Sequence, residues 1–135
     1  MKRTFYVVYE PISKRFHINR PSDRLYYRIS NKDYKYREIF TDDIEKCKIY
    51  LTERIAQNAA KIVNDDYDRA ISNLKYYIDR DEAILNDLPN NKWLDQEDID
   101  EMRECVKIFD DRIGHVMQIR TTVEVRKVEA TLKMV

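Results

Sequence analysis

Hydrophobic residues along this chain first alternate and then switch to a helical period. Phe5-Tyr6-Val7-Val8-Tyr9 is apolar on both faces and rich in β-branched and aromatic residues, which suits a strand near the centre of a sheet. Glu10-Pro11-Ile12-Ser13 interrupts it, because Pro11 has no N–H for a ladder, and Arg15-Phe16-His17-Ile18 alternates again. The two segments predict a β-hairpin. Arg20-Pro21-Ser22-Asp23 is a loop; Leu25, Tyr27 and Ile29 then alternate, Asn31-Lys32-Asp33 turns, and Tyr34 and Tyr36 lead to Ile39 and Phe40. A second hairpin is expected there, completing a four-stranded antiparallel meander over residues 1–40.

At Thr41-Asp42-Asp43 the period becomes 3.6, with Asp42-x-x-Glu45 shaped like a capping box. Ile44, Cys47, Leu51, Ile55, Ala59 and Ile62 form one apolar stripe, and Tyr67, Ala70, Ile71, Leu74, Tyr77, Ile78, Leu85 and Leu88 a second. Asn64-Asp65-Asp66 lies between them. The region 41–88 reads either as a helical hairpin broken at Asn64 or as one long helix of about 70 Å. Pro89-Asn90-Asn91-Lys92 is a loop, and a third helix is expected over 95–113. Asp95 caps it, Leu94 and Ile99 form a hydrophobic staple, acids complement its positive end, and Gly114 stands at the C′ position. Its buried face is expected to carry Ile99, Met102, Val106, Phe109 and Ile113. After Gly114, Met117, Ile119, Thr121, Val123 and Val125 alternate; from Val128 the apolar set moves to Val128, Ala130, Leu132 and Met134. That shift predicts a turn or bulge at Arg126-Lys127, within β-structure spanning 115–135 that joins the N-terminal sheet. The expected fold class is α+β: an N-terminal antiparallel sheet of two hairpins with one or two C-terminal strands, packed against a helical hairpin and a third helix, in a single domain of 135 residues.

Composition narrows the chemistry. One glycine and three prolines in the chain exclude Gly-rich phosphate loops and calcium loops, both of which need glycine at fixed places. Two cysteines, Cys47 and Cys105, do not make a disulfide framework, and both are expected to be small core residues in a reducing cytoplasm. No segment reaches the length of a membrane span. His17 and His115 have no partners at metal-ligand spacing; His17 is placed on a strand and His115 just past a helix end. The acidic clusters have the composition of solvated helix faces and caps. No enzyme, metal or cofactor is expected.

Net charge is zero but unevenly spread. Residues 1–40 hold ten Lys/Arg against four Asp/Glu, residues 41–113 hold eleven against nineteen, and residues 114–135 hold four against two. Such segregation points to charged partners. Two kinds of site follow. Arg20, Arg24, Tyr26, Arg28, Lys32, Tyr34, Lys35, Tyr36 and Arg37 combine cations for phosphates with rings for unpaired bases, a nucleic-acid-binding sheet. Tyrosine is equally at home in an ordinary small sheet. Asp65, Asp66, Asp68, Asp79, Asp81 and Glu82 on the helices, with Trp93, make a candidate protein interface, although Trp93 can instead close the core under its loop.

Few glycines, many charges and tyrosines and no catalytic motif give the chain a composition that resembles small accessory proteins of phages or mobile elements. That resemblance implies binding and inhibition of a host protein. The leading expectation is therefore a non-enzymatic protein-binding module, with homodimerisation through the helices; nucleic-acid binding is the alternative.

Overall fold

The computed structural model describes residues 2–18, 25, 29 and 38–131. Among these the fold is α+β, with a five-stranded antiparallel sheet and two long helices. The strands are β1 (Lys2–Glu10), β2 (Arg15–His17), β3 (Phe40–Thr41), β4 (Ile49–Tyr50) and β5 (Glu124–Thr131); the helices are α1 (Glu53–Leu85) and α2 (Gln96–Ile119). The chain packs as two compact units. Described residues 2–18, 38–66 and 121–131 belong to one, and 25, 29 and 67–120 to the other.

In the sheet unit β1 is central. β5 pairs with it antiparallel over almost its whole length, from Lys2 opposite Thr131 to Tyr9 opposite Glu124. The other side of β1 is shared by two short strands: β2 covers Tyr9 and Glu10, and β4 covers Tyr6 and Val7. Lys48 N–H donates to the His17 carbonyl at 3.2 Å, so β4 takes over where β2 leaves. β3 lies outside β2. Val7 and Val8, which face opposite ways, are 0% and 1% exposed, so β1 is buried on both faces at its centre, as its unbroken apolar run predicts.

The β1–β2 hairpin and the C-terminal strand beside the N-terminal one match expectation. The second hairpin is met only in part: Leu25 and Ile29 are helical and buried rather than strand, Phe40 does lie in a strand, β3 beside β2, and the rest of 19–37 lies outside the described residues. Leu25 and Ile29 are four apart, a spacing that serves one helix face as well as strand alternation serves a sheet. No turn or bulge interrupts β5. Its register against β1 is continuous through Arg126-Lys127, and Val125 and Val128 lie on opposite faces of the sheet. The apparent phase shift arises because the strand has apolar neighbours on both faces. Met117 and Ile119, read as strand, are the last turn of α2.

The switch to helix comes eleven residues later than the sequence period suggests, at Glu53 rather than Asp42. After Thr41, Asp43 caps a single 3-10 turn, Ile44–Lys46, by accepting from Glu45 N–H at 3.0 Å. The chain then extends so that Tyr50, buried, sits opposite Tyr6. Thr52 starts α1: its carbonyl accepts from Ala56 N–H and its hydroxyl from Ile55 N–H. The predicted stripe is rotated accordingly. Of that stripe Ala59 is buried as expected, but Ile44, Leu51, Ile55 and Ile62 are exposed, and Ala56, Ala60 and Val63 are buried instead. Small side chains allow a helix to approach its neighbours closely, so the bulky isoleucines fall on the outer side. Cys47 lies after the 3-10 turn, outside any helix, and both cysteines are half-buried rather than core.

α1 runs unbroken through Asn64, so the expected helical hairpin broken there does not form and the segment is one long helix, with its bounds at 53 and 85. Asn64 has a tertiary partner. Asn64 Oδ1 accepts from Val123 N–H at 2.8 Å and its Nδ2 donates to the Val123 carbonyl at 3.1 Å. One amide thus satisfies both backbone groups of a buried residue just before β5.

The helical unit is an antiparallel hairpin of residues 67–85 of α1 with α2. Tyr77 meets Phe109 at 5.9 Å, and Arg120 reaches Asp68 at 2.6 Å, which fixes the direction. Tyr67, Ala70 and Leu74 are buried as the second stripe requires, together with Val116, Leu25 and Ile29. Arg112 donates to the Ile29 carbonyl at 2.8 Å. Asp95 caps α2 with Asp98 in a reciprocal capping box, as its sequence predicts. Gly114 does not end the helix; it lies within α2, and nothing approaches within 4 Å of where a Cβ would stand. His115 is consequently a mid-helix residue. Ile99, Met102, Val106, Phe109 and Ile113 are half-buried.

Candidate functional site

The nucleic-acid candidates, Arg20, Arg24, Tyr26, Arg28, Lys32, Tyr34, Lys35, Tyr36 and Arg37, lie outside the described residues. Aromatic rings beside arginines do occur elsewhere. Arg126 lies over Tyr9 at 5.1 Å, Arg3 over Phe5 at 5.7 Å and Arg15 over Phe40 at 5.4 Å. Tyr9 also meets Phe16 at 5.3 Å. In each pair the guanidinium occupies the ring face that a base would need, so these contacts are intramolecular packing.

The acidic candidates divide by environment. Asp68, Asp79 and Glu82 are exposed, and Asp65 is half-exposed and bound to Lys61 at 2.7 Å. Asp66 and Asp81 are buried and do not face solvent. Asp81 is joined by Arg80 at 3.3 Å, and Arg80 itself lies over the Tyr77 ring at 5.0 Å. The two inward aspartates fall on the helix face that carries Val63, Ala70 and Leu74, which a reading of composition alone cannot separate from the outer face.

Trp93 is 71% exposed. It does not close the core under its loop. The loop is built without it: Leu88–Asn90 forms a 3-10 turn, Asn90 and Asn91 side chains donate to the Asp87 carboxylate and carbonyl, and Leu94 N–H donates to the Asn91 carbonyl. An indole held out by a loop tied together by its own hydrogen bonds is available for contact. On α1 of the same unit, Tyr76, 62% exposed, Asp79 and Glu82 recur at intervals of three and so lie along one side of that helix.

A polar cluster that motif reading missed lies at the end of β1. The Glu10 carboxylate, almost fully buried, accepts from Ile12 N–H at 3.0 Å, Ser13 N–H at 2.6 Å, the Ser13 hydroxyl, and the Thr121 hydroxyl at 2.9 Å. Burial opposes its charge, but the Ser13, Ile12 and Thr121 hydrogen bonds prevail and bring its pKa from 4.5 down to about 2. Lys14 closes the hairpin loop in the left-handed region, with φ 57°. Next to it, Arg15 pairs with Glu38 at 2.9 Å. Partial desolvation opposes ionisation of Glu38, but Arg15 and the Phe40 and Ile39 N–H groups hold it below the usual carboxylate range. The Glu10 and Glu38 carboxylates are engaged in holding the hairpin and β3 in place. The only sequence signal for this was an acid directly before Pro11, a turn position.

Among the described residues no three His, Cys, Asp or Glu side chains converge on a metal position. Burial raises the Cys47 thiol above its ordinary pKa, and its Sγ–H donates to the Ile44 carbonyl at 3.0 Å, which makes it a poor nucleophile. No described helix is long and apolar enough to cross a membrane. No family model matches the chain, and none of the curated proteins or solved structures compared with it matches either.

Proposed function

We propose that this protein is a non-enzymatic binding module for another protein, of the kind that phage or mobile-element accessory proteins supply when they bind and inhibit a host protein. The observation that carries the reading is Trp93, 71% exposed on a loop tied together by its own hydrogen bonds. Tryptophan is over-represented at the energetic centres of protein interfaces, where it fills an apolar pocket and its N–H finds an acceptor. The exposed strip of Tyr76, Asp79 and Glu82 gives the helical unit an acidic and aromatic surface, which suits a partner presenting cations around an apolar pocket.

The test is affinity capture with the full chain and with Trp93→Ala. A partner held by the wild type should bind the variant roughly 30-fold or more weakly, the loss expected for an anchor worth about 2 kcal/mol. The double variant Asp79→Lys, Glu82→Lys should slow association in a salt-dependent way. Equal retention of every bound protein by wild type and Trp93→Ala would remove the proposal.

A further inference from the structure

Among the described residues β5 is an edge strand. It pairs with β1 through every one of its eight residues, and among the described residues no strand pairs its outer edge. All eight side chains are exposed or half-exposed. The segment, Glu124-Val-Arg-Lys-Val-Glu-Ala-Thr131, contains no proline or glycine and keeps a continuous register, so alternate residues turn their N–H and C=O groups outward along an edge about 27 Å long. Such an edge is a template for another strand unless something repels it. Lysine on an edge is a common repellent, and Lys127 sits mid-strand. Whether it repels depends on what faces it.

A second copy can extend this sheet antiparallel only about a two-fold axis normal to the sheet, with like faces on the same side. Residues of one face then meet residues of the same face, and the axis passes through a residue that meets itself. An axis at Glu124, Arg126, Lys127 or Glu129 sets that charge against its own copy, which is unfavourable. An axis at Val125 or Ala130 overlaps only three residues of each strand. An axis at Val128 overlaps residues 125–131: Val128 meets Val128, Arg126 meets Ala130, Val125 meets Thr131, and Lys127 meets Glu129 twice. That register alone combines a long overlap with two opposite-charge pairs and no like-charge pair.

We propose that the chain forms a homodimer through β5, antiparallel about a two-fold axis at Val128, so that one sheet runs through both copies. The association lies in the sheet unit and is independent of Trp93.

The charge pairs make the test specific. Sedimentation equilibrium of the full chain over a wide concentration range should show a monomer–dimer equilibrium. Lys127→Glu and Glu129→Lys each replace both attractive pairs by repulsive ones and should each raise the dimer Kd about tenfold or more. Both side chains are exposed, and unchanged thermal melts of the dilute variants check that each still folds. An equimolar mixture of the two variants should regain the dimer, because both carboxylates of one copy then face the two lysines of the other. The double variant carrying both changes restores opposite charges within each pair and should dimerise like the wild type. A wild type that stays monomeric throughout, a dimer indifferent to the single changes, or a mixture that fails to recover would each overturn the proposal. A Trp93-dependent protein partner would still stand in any of these cases.

Discussion

The two units both mix polar contacts of short and long reach, Arg112 to the Ile29 carbonyl and Arg120 to Asp68 being the long ones of the helical unit, and the sheet unit holds the longest. In the sheet unit, Thr121 donates to Glu10 and Asn64 pairs with Val123, contacts that close 111 and 59 residues of chain. In the helical unit, the capping box of Asp95 and Asp98 spans three residues, and the loop is tied by Asp87 to Asn90 and Asn91 over three and four. A local contact costs little chain entropy and is replaceable by water at a helix end. A long-range contact to a buried backbone group has no substitute, so losing it leaves a donor or acceptor unsatisfied. Equal-looking polar residues should therefore matter unequally, according to the reach and burial of the group they satisfy.

The largest effect is expected at Glu10. Glu10→Gln removes a charge that four donors stabilise and should cost about 2–3 kcal/mol in denaturant unfolding. The same residue sets an acid limit. Its folded pKa is depressed from 4.5 to about 2, so its contribution is complete above pH 4.5 and is lost as pH falls from there toward 2. Wild-type stability should decline through that window by about 3 kcal/mol more than that of Glu10→Gln. Parallel acid profiles for the two proteins would show that the carboxylate is not the anchor described.

Asn64→Ala should come next, at about 1–3 kcal/mol, because it strips both partners from Val123 while improving helix propensity. The sign sharpens the comparison: on an exposed helix the same change would stabilise. A melting temperature equal to or above that of the wild type would mean that Val123 finds other partners.

The smallest effect, and the only favourable one, is expected in the helical unit. Gly114→Ala meets open space inside α2 and should raise stability by about 0.5–1 kcal/mol through helix propensity and reduced freedom of the unfolded chain. A loss instead would indicate that something contacts Gly114, and would weaken the contrast between the units.

Features that depend on neighbours a few residues apart were legible in the chain before it folded. The β1–β2 hairpin is one, because Pro11 must interrupt a strand; the α2 start is another, because Asp95 can cap only the helix that follows it; the buried run Tyr67, Ala70, Leu74 is a third, because its spacing traces one helix face. Opposite charges at Lys127 and Glu129 are equally plain, but not that they lie on an edge strand among the described residues. The remaining features took shape only in three dimensions. Tyr50 enters the sheet opposite Tyr6 and thereby delays α1, leaving Ile44 and Leu51 outside that helix and turning Ile55 and Ile62 outward and the alanines inward. Asn64 looks like a helix breaker until Val123 is beside it, and Trp93 looks like core until its loop proves self-sufficient. Periodicity reports which residues can share a face; which face meets a neighbour is set by partners distant in sequence, and those are chosen by the free energy of the whole packed unit.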